Sequence, residues 1–279
     1  MMIHNESEIE TRHGRLSRIY LAKVDSTNNF AMKLLKNEPE KFSDIGFLVT
    51  TSEQTSGKGQ RGNIWSSSPD QDLAMTWVIS KPPKVDATVF NMAAALATGK
   101  GIRKAILDIT GVNLPTAALS VKWPNDVYFW SNGGYRKVAG ILVENNWRGD
   151  TWTASLVGIG VNVLSRRLSR SYHAVSISEV INHDIKPNEL EAPILEFLLD
   201  YLDVLNSESG TNEIAQEFNK ELYGRDEERE YLVDGTKHQG VLKKIDSNGM
   251  GIFEWKGINS PSARLHSSEV KWVFGLHSI

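Results

Sequence analysis

The chain has 279 residues, 40% of them apolar and 23% charged, with a formal net charge of −3. That length suits one large domain, or one domain with a small appendage. The charge leaves no global footprint for nucleic acid or a membrane surface, so any anion site has to be built locally. There is no cysteine, which excludes disulfides, thiolate catalysis and cysteine-ligated zinc.

The opening MMIHNESEIETRHGR lacks an apolar core of signal-peptide length, and no run approaches a membrane span; the expectation is a soluble cytoplasmic protein. Residues 26–37, STNNFAMKLLKN, read as a helix with Ser26 as N-cap and Phe30, Leu34 and Leu35 on one face. FLVTT at 47–51 and LAMTWVIS at 73–80 read as strands, separated by a glycine-rich loop. The alanine-rich stretch 91–109 reads as a helix packed on a sheet. VYFW at 127–130, the turn SNGG at 131–134 and the run 137–144 form a hairpin signal, and 152–162 is another apolar strand. Residues 188–205 and 213–223 read as amphipathic helices. A charged seam at 225–230 precedes short strands at 230–233, 239–245, 251–255 and 270–274, with DSNG at 246–249 as a hairpin turn. This pattern predicts an α/β (α+β) domain over 1–224 and a small β-barrel over 225–279.

Five segments hold residue types that suit chemistry. In GKGQRGNIW (57–65), Gly57, Gly59 and Gly62 let backbone approach an anion. Lys58 and Arg61 add charge, Gln60 is neutral, and Trp65 offers a flat wall. The spacing is neither a Walker loop nor a dinucleotide fingerprint, and the same composition also describes a solvated hairpin loop. VKWPND (121–126) holds Asn125 and Asp126; Trp-Pro gives a rigid extended approach, and Asp126 heads a strand where a carboxylate suits Mg²⁺, although Pro-Asn-Asp is also plain turn chemistry. Lys137 opens a strand in which Gly140 permits close approach, yet most such lysines are solvated. Ser26, Thr27 and Asn28 in DSTN offer hydroxyl and backbone donors to a polar head group, or a simple helix cap. GIGVN (158–162) allows close backbone approach and ends in Asn162, which suits a ribose or phosphate, or strand packing alone.

Taken in order, DSTN, EQTSGKGQRGNIW, VKWPND, KVAGILVEN and GIGVNV resemble the biotin protein ligase family over about residues 20–165, and more loosely through the C-terminal strands. The resemblance implies a catalytic domain like class II aminoacyl-tRNA synthetases and an SH3-like C-terminal barrel. It implies ATP, Mg²⁺ and biotin as reactants, biotinyl-5′-AMP as intermediate, and a lysine on a biotin carboxyl carrier protein of a biotin-dependent carboxylase as acceptor. By motif match, Lys137 contacts the biotin carboxylate and the phosphate, Lys58 is the loop's basic residue, and Arg61 assists phosphate binding. Ser26, Thr27 and Gln54 contact the ureido ring, with Gly140 giving backbone contact there. Trp65 packs beside the intermediate. Asp126 is linked to metal and phosphate, and to the incoming lysine, whose free pKa of about 10.4 requires a proton acceptor. Asn125 shares that motif, and Asn162 matches the nucleotide end.

Two departures modify this expectation. The family loop often has arginine at its second, fourth and fifth positions, where this chain has Lys58, Gln60 and Arg61; Lys58 lacks the bidentate fork, so a less tightly held adenylate is expected. The first motif begins at Asp25, which predicts a monofunctional ligase without a DNA-binding domain. The resemblance leaves a homodimer open. Alternatives are a lipoate or octanoate ligase of the same fold, a non-catalytic biotin-sensing module and, by fold analogy only, a tRNA synthetase paralogue.

Overall fold

A computed structural model of the chain describes residues 5–38, 45–166, 174–257 and 262–274. Its larger sheet has eight strands: β1 (Asn5–Thr11), β2 (Gly14–Leu21), β3 (Phe47–Thr51), β4 (Asp72–Ile79), β5 (Leu119–Lys122), β6 (Asp126–Ser131), β7 (Gly134–Arg148) and β8 (Thr151–Asn162). They lie side by side in the order β1-β2-β3-β4-β8-β7-β6-β5. Every pairing is antiparallel except β2 with β3. The helices are α1 (Thr27–Asn37), α2 (Ala87–Thr110), α3 (Ile177–Ile181), α4 (Glu191–Leu205) and α5 (Gly210–Lys220).

Strands β3 and β4 are buried at every position, which explains their unbroken apolar sequences: both faces are covered. Ile19, Phe47, Val49, Val78 and Leu156 meet Ala31 and Leu34 of α1 on one face. Leu48, Trp77, Ile79 and Val157 belong to the core that α2, α4 and α5 cover on the other. Helix α2 begins one turn before the residue that spacing suggests, because the Asp86 side chain accepts a hydrogen bond from the Thr88 N–H at 2.7 Å and caps it. It ends at Gly111, in the left-handed region at φ 71°.

Several elements were not anticipated, the short helix α3 among them. The β1–β2 hairpin has a nearly apolar-free first strand, NESEIET, so it gives no alternation signal. Strand β5 is four residues long, and a second four-residue strand, Ser262–Leu265, lies in the C-terminal unit. The expected extended approach at Trp123-Pro124 is instead a tight turn with a cis peptide bond. The β6–β7 turn is shorter than anticipated: Ser131 pairs with Gly134, and Asn132 and Gly133 both have positive φ.

The C-terminal sheet comprises β9 (Glu228–Val233), β10 (Thr236–Ile245), β11 (Gly251–Trp255), β12 (Ser262–Leu265) and β13 (Val270–Trp272). Its order is β12-β11-β10-β9-β13, all antiparallel, which fits a small SH3-like unit. Its core is continuous with the larger one: Tyr231, Leu242, Ile245 and Phe253 join the same cluster as Trp123. The Trp123 indole N–H donates to the Gly249 carbonyl at 3.2 Å. Asn219, on α5, both donates to and accepts from the Ile245 backbone at 2.7 and 2.8 Å. Among the described residues, no helix is long and apolar enough to cross a membrane.

Candidate active site

A cleft opens on the sheet face covered by α1, where small residues leave the sheet bare. Gly140 of β7 pairs directly with Gly160 of β8, and a Cβ on Gly160 would stand 2.2 Å from the Trp65 ring. A Cβ on Gly158 would stand 2.4 Å from Asn28 Oδ1. The DSTN and EQTS segments run side by side: Val24 N–H donates to the Glu53 carbonyl, and the N–H groups of Thr55 and Ser56 donate back to Val24 and Asp25. This places the start of α1 over the glycines.

The remaining cavity is small, ≈ 50 Å³, because the Trp65 indole lies across the two paired glycines. Ser26, Thr27, Asn28 and Gln54 line one end. Lys58, Gly59, Gln60 and Trp65 come from the loop, and Asn125, Lys137 and Gly140 from the β6–β7 side. Ser26 starts α1 without a side-chain capping bond and is among the residues that line this end of the cleft. Gln54 Oε1 accepts from the Thr27 N–H at 2.9 Å.

Lys137 reaches the cleft through a β-bulge. Val127 pairs with Ala139 but Tyr128 pairs with Lys137, so Val138 is the extra residue. Val138 and Ala139 are both buried in the core behind the sheet; strict alternation would have sent Lys137 there. The bulge turns it to the open face instead, with its Nζ 3.1 Å from where a Gly140 Cβ would be. Asn162 supports this from behind. Its Nδ2 donates to the Lys137 and Val175 carbonyls, each at 3.4 Å, while the Val175 N–H also donates to the Lys137 carbonyl. Asn125 likewise stitches its turn to β7, donating to the Ile141 carbonyl at 2.6 Å. Both asparagines thus shape backbone with their side-chain amides.

The charges are grouped. Lys137 Nζ lies 2.6 Å from Asp126 Oδ1, and Lys122 Nζ lies 3.6 Å from Asp126 Oδ2. Lys137 also stands over the Trp65 ring at 5.7 Å. Lys122, which the sequence reading passed over, sits beneath Trp272 and Phe274 of the C-terminal unit, 5.6 Å from each ring. Its signal is its i, i+4 spacing to Asp126 across the turn. Burial lowers the Lys122 ammonium below its ordinary range, helped by Lys137 and opposed by Asp126. Lys58 donates to Asn29 Oδ1 at 2.6 Å, and Asn29 Nδ2 donates to Asp25 at 2.8 Å. That bond holds the Asp25 carboxyl below its usual range.

The glycine loop is a tight hairpin. Gly59 N–H donates to the Asn63 carbonyl, Trp65 N–H donates to the Gly57 carbonyl, and Gln60–Gly62 form a single 3-10 turn. Gly57 is needed there because a Cβ would stand 2.3 Å from the Trp65 carbonyl oxygen. Arg61 adopts φ 56° and donates to the Ser267 carbonyl of the C-terminal unit, so Arg61 and Gly62 stand at the loop tip, outside the cavity. Ile64 beside them is 79% exposed.

Asp126 meets a different arrangement from the one anticipated for a Mg²⁺ ligand, since each of its oxygens faces an ammonium. Among the described residues, the one cluster of three potential metal ligands is His13, Glu196 and Asp200, away from this cleft.

The chain is thus an α+β protein whose mostly antiparallel sheet carries a glycine-floored cleft, covered by a glycine loop and flanked by lysines. A model of the biotin/lipoate A/B protein ligase family matches residues 20–162. The chain belongs to that family. A biotin–[acetyl-CoA-carboxylase] ligase of Paracoccus denitrificans is 39% identical over 145 residues, 51% of this chain and 53% of that protein. The bifunctional ligase/repressor of Escherichia coli K12 is 27% identical over 244 residues, 85% of this chain and 69% of that protein. The matched part is thus about half the length of the Paracoccus relative. Among solved structures, biotin protein ligase from Aquifex aeolicus in complex with biotin and ATP has a TM-score of 0.70 at 23% identity, covering 92% of this chain and 99% of that one; this likeness establishes the fold.

The buried Lys122 gives a signed pH effect. Its folded pKa is depressed, so between that value and its ordinary value of 10.5 the unfolded chain binds more protons. Wild type should therefore gain stability relative to Lys122→Met as pH rises toward 10.5. Urea unfolding of both proteins from neutral to alkaline pH measures it; a constant difference would mean that Lys122 is fully protonated throughout.

Proposed function

We propose that this chain is an ATP-dependent biotin protein ligase. The observation that carries the reading is the opposition of two ends of one cleft: Lys137, turned inward by the bulge, faces Ser26, Thr27 and Gln54 across the glycine floor. An acid with a polar ring at its far end fits that spacing of chemistry. The biotin carboxylate attacks the α-phosphate of ATP, forming biotinyl-5′-AMP and releasing pyrophosphate. The ε-amine of a carrier-domain lysine then attacks the anhydride carbonyl, forming the amide and releasing AMP.

Both reactants of the first step are anions, so cations aimed at the reacting oxygens lower the barrier. In this reading Lys137 supplies that charge, and its 2.6 Å contact with Asp126 supports the role by holding its direction. In the second step Asp126 takes the proton that the incoming ammonium must lose. Once it does so, Lys137 and Lys122 lose their counter-charge, which favours return of the carboxylate. The loop carrying Gln60 and Trp65 keeps water from the anhydride. The donor set does not make a resident cation cage, because Asp126 is committed to two lysines; Mg²⁺ bound with ATP would supply neutralisation of the phosphate charge. The acceptor is the biotin carboxyl carrier domain of a biotin-dependent carboxylase, and the compartment is the cytoplasm.

ATP–pyrophosphate exchange with biotin, lipoate and octanoate in parallel tests the substrate. Biotin alone should support exchange, and Lys137→Ala should reduce it by about 10²–10³-fold. Exchange with lipoate or octanoate instead would move the activity to the other branch of the family. Asp126→Asn should slow transfer from preformed biotinyl-5′-AMP; an unchanged transfer rate would remove Asp126 as proton acceptor. Finally, Gln60 lines the cavity where the family often has arginine, and Arg61 is turned to Ser267. Gln60→Arg should cut release of free biotinyl-5′-AMP by about ten-fold, the scale of one charged hydrogen bond. Equal release from both proteins would show that Gln60 does not set retention.

A further inference from the structure

Behind the polar end of the cleft runs a chain of hydrogen bonds that ends on a charge. Glu144 lies on β7, on the same face as Gly140, and its Oε2 accepts from Asn28 Nδ2 at 2.7 Å. Asn28 Oδ1 accepts from the Thr76 hydroxyl at 2.6 Å. Thr76 Oγ1 stands 2.7 Å from the Thr27 hydroxyl, and Thr27 leads to Gln54. Asn28, Thr76 and Thr27 are all buried, so their polar atoms need partners from the protein or a ligand; besides Glu144, the Asn28 Nδ2 also reaches the Leu142 carbonyl, at 3.5 Å.

Proton counting fixes the direction of the bonds from Glu144 to Thr27, whose single hydroxyl proton is directed at Thr76 Oγ1 at 2.7 Å, with Gln54 Oε1 a more distant second acceptor at 3.2 Å. A carboxylate only accepts, so Glu144 requires the Asn28 NH₂ on its side. That leaves the Asn28 oxygen, which cannot donate, against Thr76, so the single Thr76 proton is committed to it. Thr76 Oγ1 can then only accept from Thr27. The Thr27 oxygen is left with lone pairs and no proton for the cleft. Gln54 Oε1 is held by the Thr27 N–H, so its NH₂ is the end left for a ligand. Thr27 and Gln54 thus offer one acceptor and one donor, in fixed positions, beside Ser26. A cyclic urea supplies the matching N–H and C=O; a dithiolane or an alkyl chain supplies neither.

We propose that Glu144 is a positioning residue that sets the donor–acceptor polarity of the head-group site through Asn28 and Thr76, and so selects a ureido ring over an apolar one. The proposal rests on the biotin ligase reading and deepens it. Sites that hydrogen-bond a substrate reject analogues lacking the partner because their own polar groups are left unpaired.

Isothermal titration of the full-length protein with biotin tests it. Glu144→Gln removes the charge that orients Asn28 and should weaken biotin binding about ten-fold, with kcat at saturating biotin and KM for ATP changed less than about two-fold. Asn28→Asp places two carboxylates face to face and should also weaken it. The swap Glu144→Gln with Asn28→Asp restores an acceptor toward Thr76 and a donor behind it, and should recover most of the loss. A rescue of that kind is not expected of residues that merely fill space. Biotin affinity unchanged in Glu144→Gln, or a folded double variant (checked by near-UV circular dichroism) no better than the single ones, would overturn the proposal. Wild-type protein that binds no biotin would overturn the ligase reading itself, and the proposal with it.

Discussion

A sheet covered on both faces has room for a ligand only where side chains are missing. Here Gly140 and Gly160 face each other across β7 and β8, and Gly158 lies two residues along on the same face. The loop tryptophan and the α1 asparagine both occupy space that a single methyl group would close. The cleft, the reach of the loop and the approach of the α1 N-terminus all follow from those three absent Cβ atoms. Elsewhere the same strands are packed without gaps, with α1 on one face and α2, α4 and α5 on the other, so the bare strip is set in a rigid surround that does not collapse to fill it.

Much of the site was legible because its motifs are contiguous. Ser26, Thr27, Asn28, Gln54, Lys58, Gln60, Trp65, Asn125, Lys137 and Gly140 meet at one cavity, as their order along the chain implied. What period-two reasoning could not supply was the bulge at Val138, which breaks the alternation that would have buried Lys137. Asn125 and Asn162 are expected as ligand contacts; in the structure their Nδ2 groups also hold backbone carbonyls of the site, a second role that the motifs do not signal. Glu144 and Thr76 were invisible for a different reason: they act through other side chains, and a glutamate or threonine in a strand carries no local mark of that. Of the fold, long elements with covered faces read well. The β1–β2 hairpin did not, because an edge strand rich in acids and threonine has no apolar face to betray it.

The C-terminal unit is tied to the site at three places. Arg61 reaches Ser267, Lys122 lies beneath Trp272 and Phe274, and Trp123 is bonded to Gly249. Two of these involve residues near the cleft, one at the tip of the glycine loop and one paired with Asp126. The small sheet therefore sets the electrostatic surroundings of Asp126 as well as completing the core. Lys122 is kept from water by rings that belong to another unit, so separating the two units would rehydrate its ammonium and alter the balance of charge around Asp126.

The indole of Trp65 rests on the paired glycines with its ring nitrogen buried and without a hydrogen-bond partner. Ligand pockets usually enclose about 300–1,000 Å³, and only ≈ 50 Å³ remains here. On the proposed function, a guest ring and the indole compete for the same strip of backbone. Apolar surface there is already shielded from solvent by the indole, so the heat-capacity change on binding would be smaller than the ligand's own contact area suggests. Selectivity would then rest on the polar groups at the end of the strip, since the glycines accommodate the protein's own side chain.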